Sequence, residues 1–253
     1  HNIFVPREFK LERTPVYRSR IGQSPSFDAS PTLRALRRSD VFSALNDTAE
    51  LAEAAERARW VTIPRRREIT PDAEGTVFAI VTGRVKVCSQ AGDRDLTLGY
   101  ADPGDVVGEE RLFGPSIERR YYAAEQVEAV ALPSSFVLDL LGRHPRLATS
   151  MLRYVGERRA ALERRLRALL CRSVESRVAE FVLEVAARYG VPDSRGTLVS
   201  QRFTHLDIAN FVGSTRETVT LVLGDLKRAG LIDLDHRRIV VLDKDGLVAR
   251  TAD

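Results

Sequence analysis

The residues best placed to do chemistry stand at Ser214, Thr215, Arg216, Glu217, Thr220 and Leu221, at the start of a helical pattern near the C-terminus. Their chemistry would be base recognition rather than bond breaking. An arginine grips guanine with two hydrogen bonds, a glutamate accepts from cytosine, and a leucine touches a thymine methyl. Ser214 with Glu217 has the spacing of a capping box, and Thr204 with Asp207 shows a similar pairing upstream. Ile208, Phe211 and Val212 form one apolar stripe, and Val219, Val222, Leu223 and Leu226 a second. Gly213 lies between them, where a sharp turn excludes a side chain, and Gly230 stands where a left-handed C-cap is expected. Two short helices around a glycine turn read as a helix-turn-helix. A plain helical hairpin with a solvated Arg/Glu face has the same spacing. The next segment favours DNA, because residues 231–234, a DHRR turn and residues 239–242 read as a β-hairpin. Such a wing would let Arg237 and Arg238 reach phosphates.

A second group of charges lies upstream. Gly108, Glu109 and Glu110 begin a loop after Val107, and backbone N–H groups of such a loop can cradle an anion. Arg119 and Arg120 follow, and either can pair with a phosphate or a carboxylate. A surface loop with exposed charges reads the same way. An enzyme using Glu109 and Glu110 as acid and base is a further reading. It lacks a nucleophile–base pair, metal-ligand spacing and a phosphate loop, so no catalytic residue is assigned. A sensor module that meets only a protein partner is a third, supported by Leu221 alone.

Composition sets the frame. The 253 residues are 43% hydrophobic and 29% charged, as in soluble globular proteins, and suffice for two modest domains. Net charge is only +4, with a pI near 9.3, which permits a polyanionic partner. Cys88 and Cys171 are isolated, and the four histidines, at 1, 144, 205 and 236, have no ligand spacing, so no metal is expected. No apolar run approaches the roughly 18 residues of a membrane span. No secretory leader is visible, and a cytoplasmic protein with reduced thiols is expected.

The elements that must position these residues follow in order. Residues 1–40 hold four prolines and no sustained period, and read as a tail or arm. Short helices are expected near 39–45 and 48–58. Residues 60–63, 77–81, 84–89, 95–100, 121–124 and 128–133 are β-like runs separated by turn signals, as in a sandwich or small barrel. A hairpin is expected around residues 82 and 83. Met151, Val155, Leu162, Leu166 and Leu169 recur at helical spacing, with Arg158 in the gap of that stripe. The arginines at 153, 159, 164, 165 and 167 are expected in solvent. Ser173 would cap a further helix ending at Gly190, after which a loop leads into a strand over 197–203.

The stretch SxRETVTxxLxxLKxxGLI over residues 214–232 resembles the recognition helix of the CRP/FNR superfamily of bacterial transcription regulators. Arg216 and Glu217 match that family's base-reading pair, and Leu221 stands where the family usually has an arginine. The β-like region is similar to the family's cyclic-nucleotide-binding jelly roll. The resemblance, over residues 45–245, implies an α+β protein: an effector-sensing β-roll over 41–147, a dimerisation helix over 148–171 and a winged helix-turn-helix over 172–253. It implies a homodimer through the long helix and a near-palindromic double-stranded operator. RNA polymerase would be a further partner. In the cAMP-receptor branch, Glu109 would meet the ribose and Arg119 the phosphate, but Leu162 and Glu163 replace the residues that meet adenine. Resemblance to the nitrogen-control branch is stronger through residues 151–163, 176–183, 190–192, 213–226 and 235–241. It implies 2-oxoglutarate as effector, held by Arg120, Arg158 and Glu163, with a small coactivator protein as a possible partner. Arg158 and Glu163 are about 140° apart around one helix and would meet only across the dimer.

Overall fold

The computed structural model describes residues 30–45, 48–70, 75–91, 94–114, 119–235 and 238–251. The expected arm is structured at its end. Residues Pro31–Arg37 form helix α1, with proline in its first turn and Leu33 and Leu36 buried one turn apart. Residues 1–29 of that arm lie outside the described residues. A 3-10 turn at Phe42–Ala44 and helix α2 (Thr48–Arg57) follow.

The β-roll is built from β1 (Arg59–Ile63), β2 (Thr76–Thr82), β3 (Val85–Ala91), β4 (Arg94–Ala101), β5 (Val106–Val107), β6 (Arg119–Ala123) and β7 (Val127–Pro133). They make two sheets, β1-β7-β2-β5 and β4-β3-β6. The alternating apolar residues Phe78, Ile80, Val85, Val87, Tyr121 and Ala129 fill the space between the sheets. The hairpin expected at residues 82 and 83 does not form, because β2 and β3 belong to different sheets. Gly83 carries the chain across at φ 76, and a Cβ there would lie 2.1 Å from the Gln126 carbonyl oxygen. The turn signal was real; its strands pair elsewhere.

Helix α3 (Ser134–Arg143), not anticipated from the sequence, precedes helix α4 (Pro145–Cys171). α4 has two faces at 4-3 spacing. Leu147, Met151, Tyr154 and Ala168 are buried on one, with Arg158 and Arg165 half-buried in the same line. Leu152, Leu166 and Leu170 stand exposed on the opposite face. The expected seam of Met151, Val155, Leu162, Leu166 and Leu169 mixed the two. Met151 belongs to the core beneath α1 to α3, whereas Leu166 is 57% exposed. Apolar residues on both sides of a helix blur a single period.

The chain turns at Arg172, and Ser173 caps α5 (Val174–Tyr189) by accepting from Ser176 N. The loop expected after Gly190 is a hairpin of β8 (Gly190–Asp193) and β9 (Gly196–Val199). Helices α6 (His205–Val212) and α7 (Arg216–Arg228), strands β10 (Ile232–Asp235) and β11 (Arg238–Val241), and α8 (Lys244–Ala249) complete the unit. β11 pairs with both β10 and β9. One apolar core, including Val178, Phe181, Ile208, Val219, Leu223 and Ile239, joins α5, α6, α7 and the hairpins. Among the described residues, no helix is long and apolar enough to cross a membrane.

Candidate functional site

Two sites take shape. At the first, Thr204 and Asp207 form both halves of a capping box on α6. Gly213 closes α6 at φ 66, and a Cβ there would press to 2.6 Å from Leu169. Ser214 was expected to cap α7, yet its N–H is spent on the Ala209 carbonyl, closing α6. Thr215 therefore caps α7, accepting from Thr218 N at 3.2 Å. With Val219, Leu223 and Leu226 buried, Arg216, Glu217, Thr220 and Leu221 face solvent. The Thr220 hydroxyl donates to the Arg216 carbonyl and sits 2.8 Å from His205 Nδ1. Its hydrogen is committed, so the side chain tethers α6 to α7 more than it reads a base. Arg238, paired with Asp235 at the turn end of the wing, is half-buried with Nε buried, and Arg237 lies outside the described residues.

The second site is a cavity of about 830 Å³ between the β-roll, α4 and α5. Arg119, Asp105, Tyr154 and Arg158 line one end, and Leu98, Leu162 and Leu169 extend it. Gly108 turns the chain into the 3-10 segment Glu109–Phe113 at φ 89, where a Cβ would lie 2.4 Å from the Thr76 carbonyl oxygen. That turn buries Glu109, which is 4% exposed. Arg119 Nη1 lies 3.7 Å from Glu109 and 3.8 Å from Glu110. Tyr121 donates to Glu110. Arg158 donates to the Tyr154 hydroxyl at 2.7 Å and lies 3.6 Å from Asp105. Tyr154 in turn donates to the Val106 carbonyl. Burial pushes the Glu109 carboxyl up and Glu110 adds to this, while Arg158 and Arg119 pull it back. Burial works against the charge on Arg158, but Tyr154, Asp105 and Glu109 outweigh it and raise its pKa.

The trio Arg120, Arg158 and Glu163 is not brought together within the chain. Successive residues of a strand point to opposite faces. On β6, Arg119 and Tyr121 turn toward Glu109 and Glu110, while Arg120 hydrogen-bonds Tyr122 on the other face. Glu163 points to solvent and pairs with Arg159 at 2.8 Å. Arg158 lies against the β-roll, not in the outward seam. Val107 is buried between the sheets and does not line this cavity.

Sequence reasoning missed Asp105, Tyr154 and the contacts joining the two units. Tyr154 stands one helical turn before Arg158, a spacing that would have flagged it. Asp105 lies between Arg158 and Arg188 of α5, the latter at 3.5 Å. Tyr189 donates to Asp102 at 2.8 Å. Arg84 stacks on Tyr100, Tyr189 and Phe203, at 4.6 to 5.2 Å from the ring centres. Arg165, expected in solvent, covers the Phe211 ring at 4.3 Å and donates to the carbonyls of Thr97 and Phe211. Burial pushes its pKa down to about 10, which leaves it charged at neutral pH.

A capped helix pair with an exposed Arg/Glu face and a β-hairpin wing, joined through a long helix to a β-roll with a charged cavity, defines an effector-domain regulator of the DNA-binding class. Residues 176–250 match the Crp-like helix-turn-helix domain. The chain is 30% identical over 196 residues to the global nitrogen regulator of Synechococcus elongatus, covering 76% of this chain and 85% of that one. It is 26% identical over 219 residues to the CRP-like cAMP-activated global transcriptional regulator of Mycobacterium tuberculosis, covering 85% and 97%. A solved CRP/FNR-family regulator from Thermus thermophilus superposes with a TM-score of 0.66 at 26% identity, over 77% of this chain and 99% of the other. The chain belongs to the CRP/FNR family of DNA-binding transcription regulators.

Proposed function

We propose that this regulator works as a homodimer whose grip on a near-palindromic operator is set by a small organic anion held between Arg119 and Arg158. The observation that carries this reading is the convergence of two guanidinium groups, from β6 and α4, on one cavity. Two planar forks suit a dicarboxylate, and 2-oxoglutarate is the first candidate, with nitrogen control as the regulated process. The similarity to the global nitrogen regulator supports it. A cyclic nucleotide is the second reading, favoured by buried Glu109 beside Arg119, a hydroxyl acceptor next to an anion holder. The similarity to a cAMP-activated regulator supports that one.

The switch follows from a shared carboxylate. Asp105 stands between Arg158 in the cavity and Arg188 of the DNA-binding unit. An anion that takes Arg158 frees Asp105 for Arg188 and alters how β4, α4 and α6 pack. The effector thereby favours one arrangement of the two units, and its coupling to DNA is reciprocal. Seated on DNA, the dimer would act on RNA polymerase, directly or with a small coactivator protein. Calorimetric titration of the full chain with 2-oxoglutarate, and with cAMP in parallel, tests the effector. Saturable heat with 2-oxoglutarate alone supports the first reading, cAMP alone supports the second, and silence from both removes them.

A further inference from the structure

We infer that the centre of the interface between two copies of this chain is a cluster of four charges, Arg159 and Glu163 of each copy, and that this cluster makes the interface selective for a second copy. The inference rests on the homodimer reading above and adds which face of α4 meets the partner and what sets its register. The inner face of α4 is occupied by its own β-roll through Leu147, Met151 and Tyr154. The opposite face presents Leu152, Gly156, Arg159, Glu163, Leu166 and Leu170, spaced alternately by four and three residues. That is the spacing of a coiled-coil seam. Its leucines are 68%, 57% and 77% exposed, a line of apolar side chains that the chain itself leaves uncovered.

The two charged residues sit between those leucines. In the single chain they pair with each other at 2.8 Å, with side chains 80% and 58% exposed. An exposed pair of this kind contributes little by itself, and Arg before Glu is the less favourable order along a helix. Two parallel helices around a two-fold axis set each residue opposite its own copy. Arg159 then faces Arg159 and Glu163 faces Glu163, and each layer alone repels. The layers are adjacent and opposite in sign, so each arginine can turn to the glutamate of the other copy. Gly156, with nothing within 4 Å of where a Cβ would stand, leaves room beside the arginine layer. The pattern is complementary to itself, which fits a second copy of this chain. A helix slipped by one heptad would set these charges against leucine, so the cluster fixes register at some cost in stability.

Sedimentation equilibrium and subunit exchange on the full chain test this. R159E gives four acids at the centre and E163R gives four arginines; each is expected to raise the dimer dissociation constant about tenfold or more. The double variant R159E/E163R should recover the wild-type value. Mixing R159E with E163R should give the heterodimer in clear excess over either homodimer. L166D serves as the control for the seam. If L166D dissociates the dimer while the charge variants do not and show no preference for each other, the cluster is overturned and the dimer reading stands. If L166D leaves the dimer intact, or wild type is a monomer, the reading beneath it fails instead. Loss of 2-oxoglutarate binding in E163R with dimerisation unchanged would place Glu163 in the effector site and overturn the cluster.

Discussion

The recognition helix and the effector cavity use the same residue types under opposite conditions. On α7, Arg216 and Glu217 point into water, and their place follows from a cap and a 3.6-residue period. At the cavity, Asp105, Arg119 and Arg158 come from three separated segments, Glu109 stands behind Arg119, and burial makes these charges depend on partners. The first site is assembled locally and waits for phosphate and base. The second is assembled by the fold and already satisfied by its own carboxylates, so the proposed anion would have to displace one of them. A binding face can be prepared in advance, whereas a switch must hold a contact that its ligand replaces.

The comparison breaks first where a charge reads bases. R216A should weaken binding to a selected operator by about 1–3 kcal/mol, roughly fivefold to 150-fold, and relax base preference at one position of each half-site. Fluorescence anisotropy with a panel of substituted duplexes checks both effects. In the cavity, R119A should abolish effector binding while R120A leaves it nearly intact, since only Arg119 turns inward. Calorimetry on the two variants sharpens the contrast between neighbouring arginines.

Protons should distinguish the two sites next. Glu109 has a raised pKa, so protonation is favoured in the folded chain, and its stabilising effect is complete below the ordinary carboxyl value and lost as pH rises through the raised one. A bound anion favours the protonated form further, so effector affinity should tighten as pH falls toward that range. E109Q should remove this slope, which calorimetry at several pH values reads. The smallest effect is expected at Thr220, whose hydroxyl donates within the helix. T220V should change operator affinity by only about twofold and leave base preference unchanged, because the exposed tether it removes, to His205, contributes about 0.5 kcal/mol.

The helix-turn-helix and its wing were legible in the sequence because capping residues, turn glycine and apolar stripes act within a few residues of one another. Even there the cap moved from Ser214 to Thr215, since the closing bond of α6 took the Ser214 N–H. The strands of the β-roll were legible as runs, but their partners were not, as β2 and β3 show by parting at Gly83. The cavity was legible in composition and illegible in geometry. A one-residue step along β6 separates Arg119 from Arg120 and reverses the face. Apolar residues on both sides of α4 hid which side meets the β-roll, and with it the place of Arg158. Asp105 stood in the β-roll pattern before Gly108 and Glu109, but its contacts with Arg158 and Arg188 exist only where α4 and α5 converge on it.

The most direct measurement is the affinity of the full chain for a selected operator duplex, with and without saturating 2-oxoglutarate or cAMP, in wild type and R158L. In wild type, one effector should shift the dissociation constant by at least about fivefold, the lower range of allosteric coupling. R158L should show no shift, and because its Asp105 is already free for Arg188 it should bind the duplex at the effector-bound level without effector. An unchanged shift in R158L, or no shift in wild type with either effector, would contradict an anion switch built on Arg158.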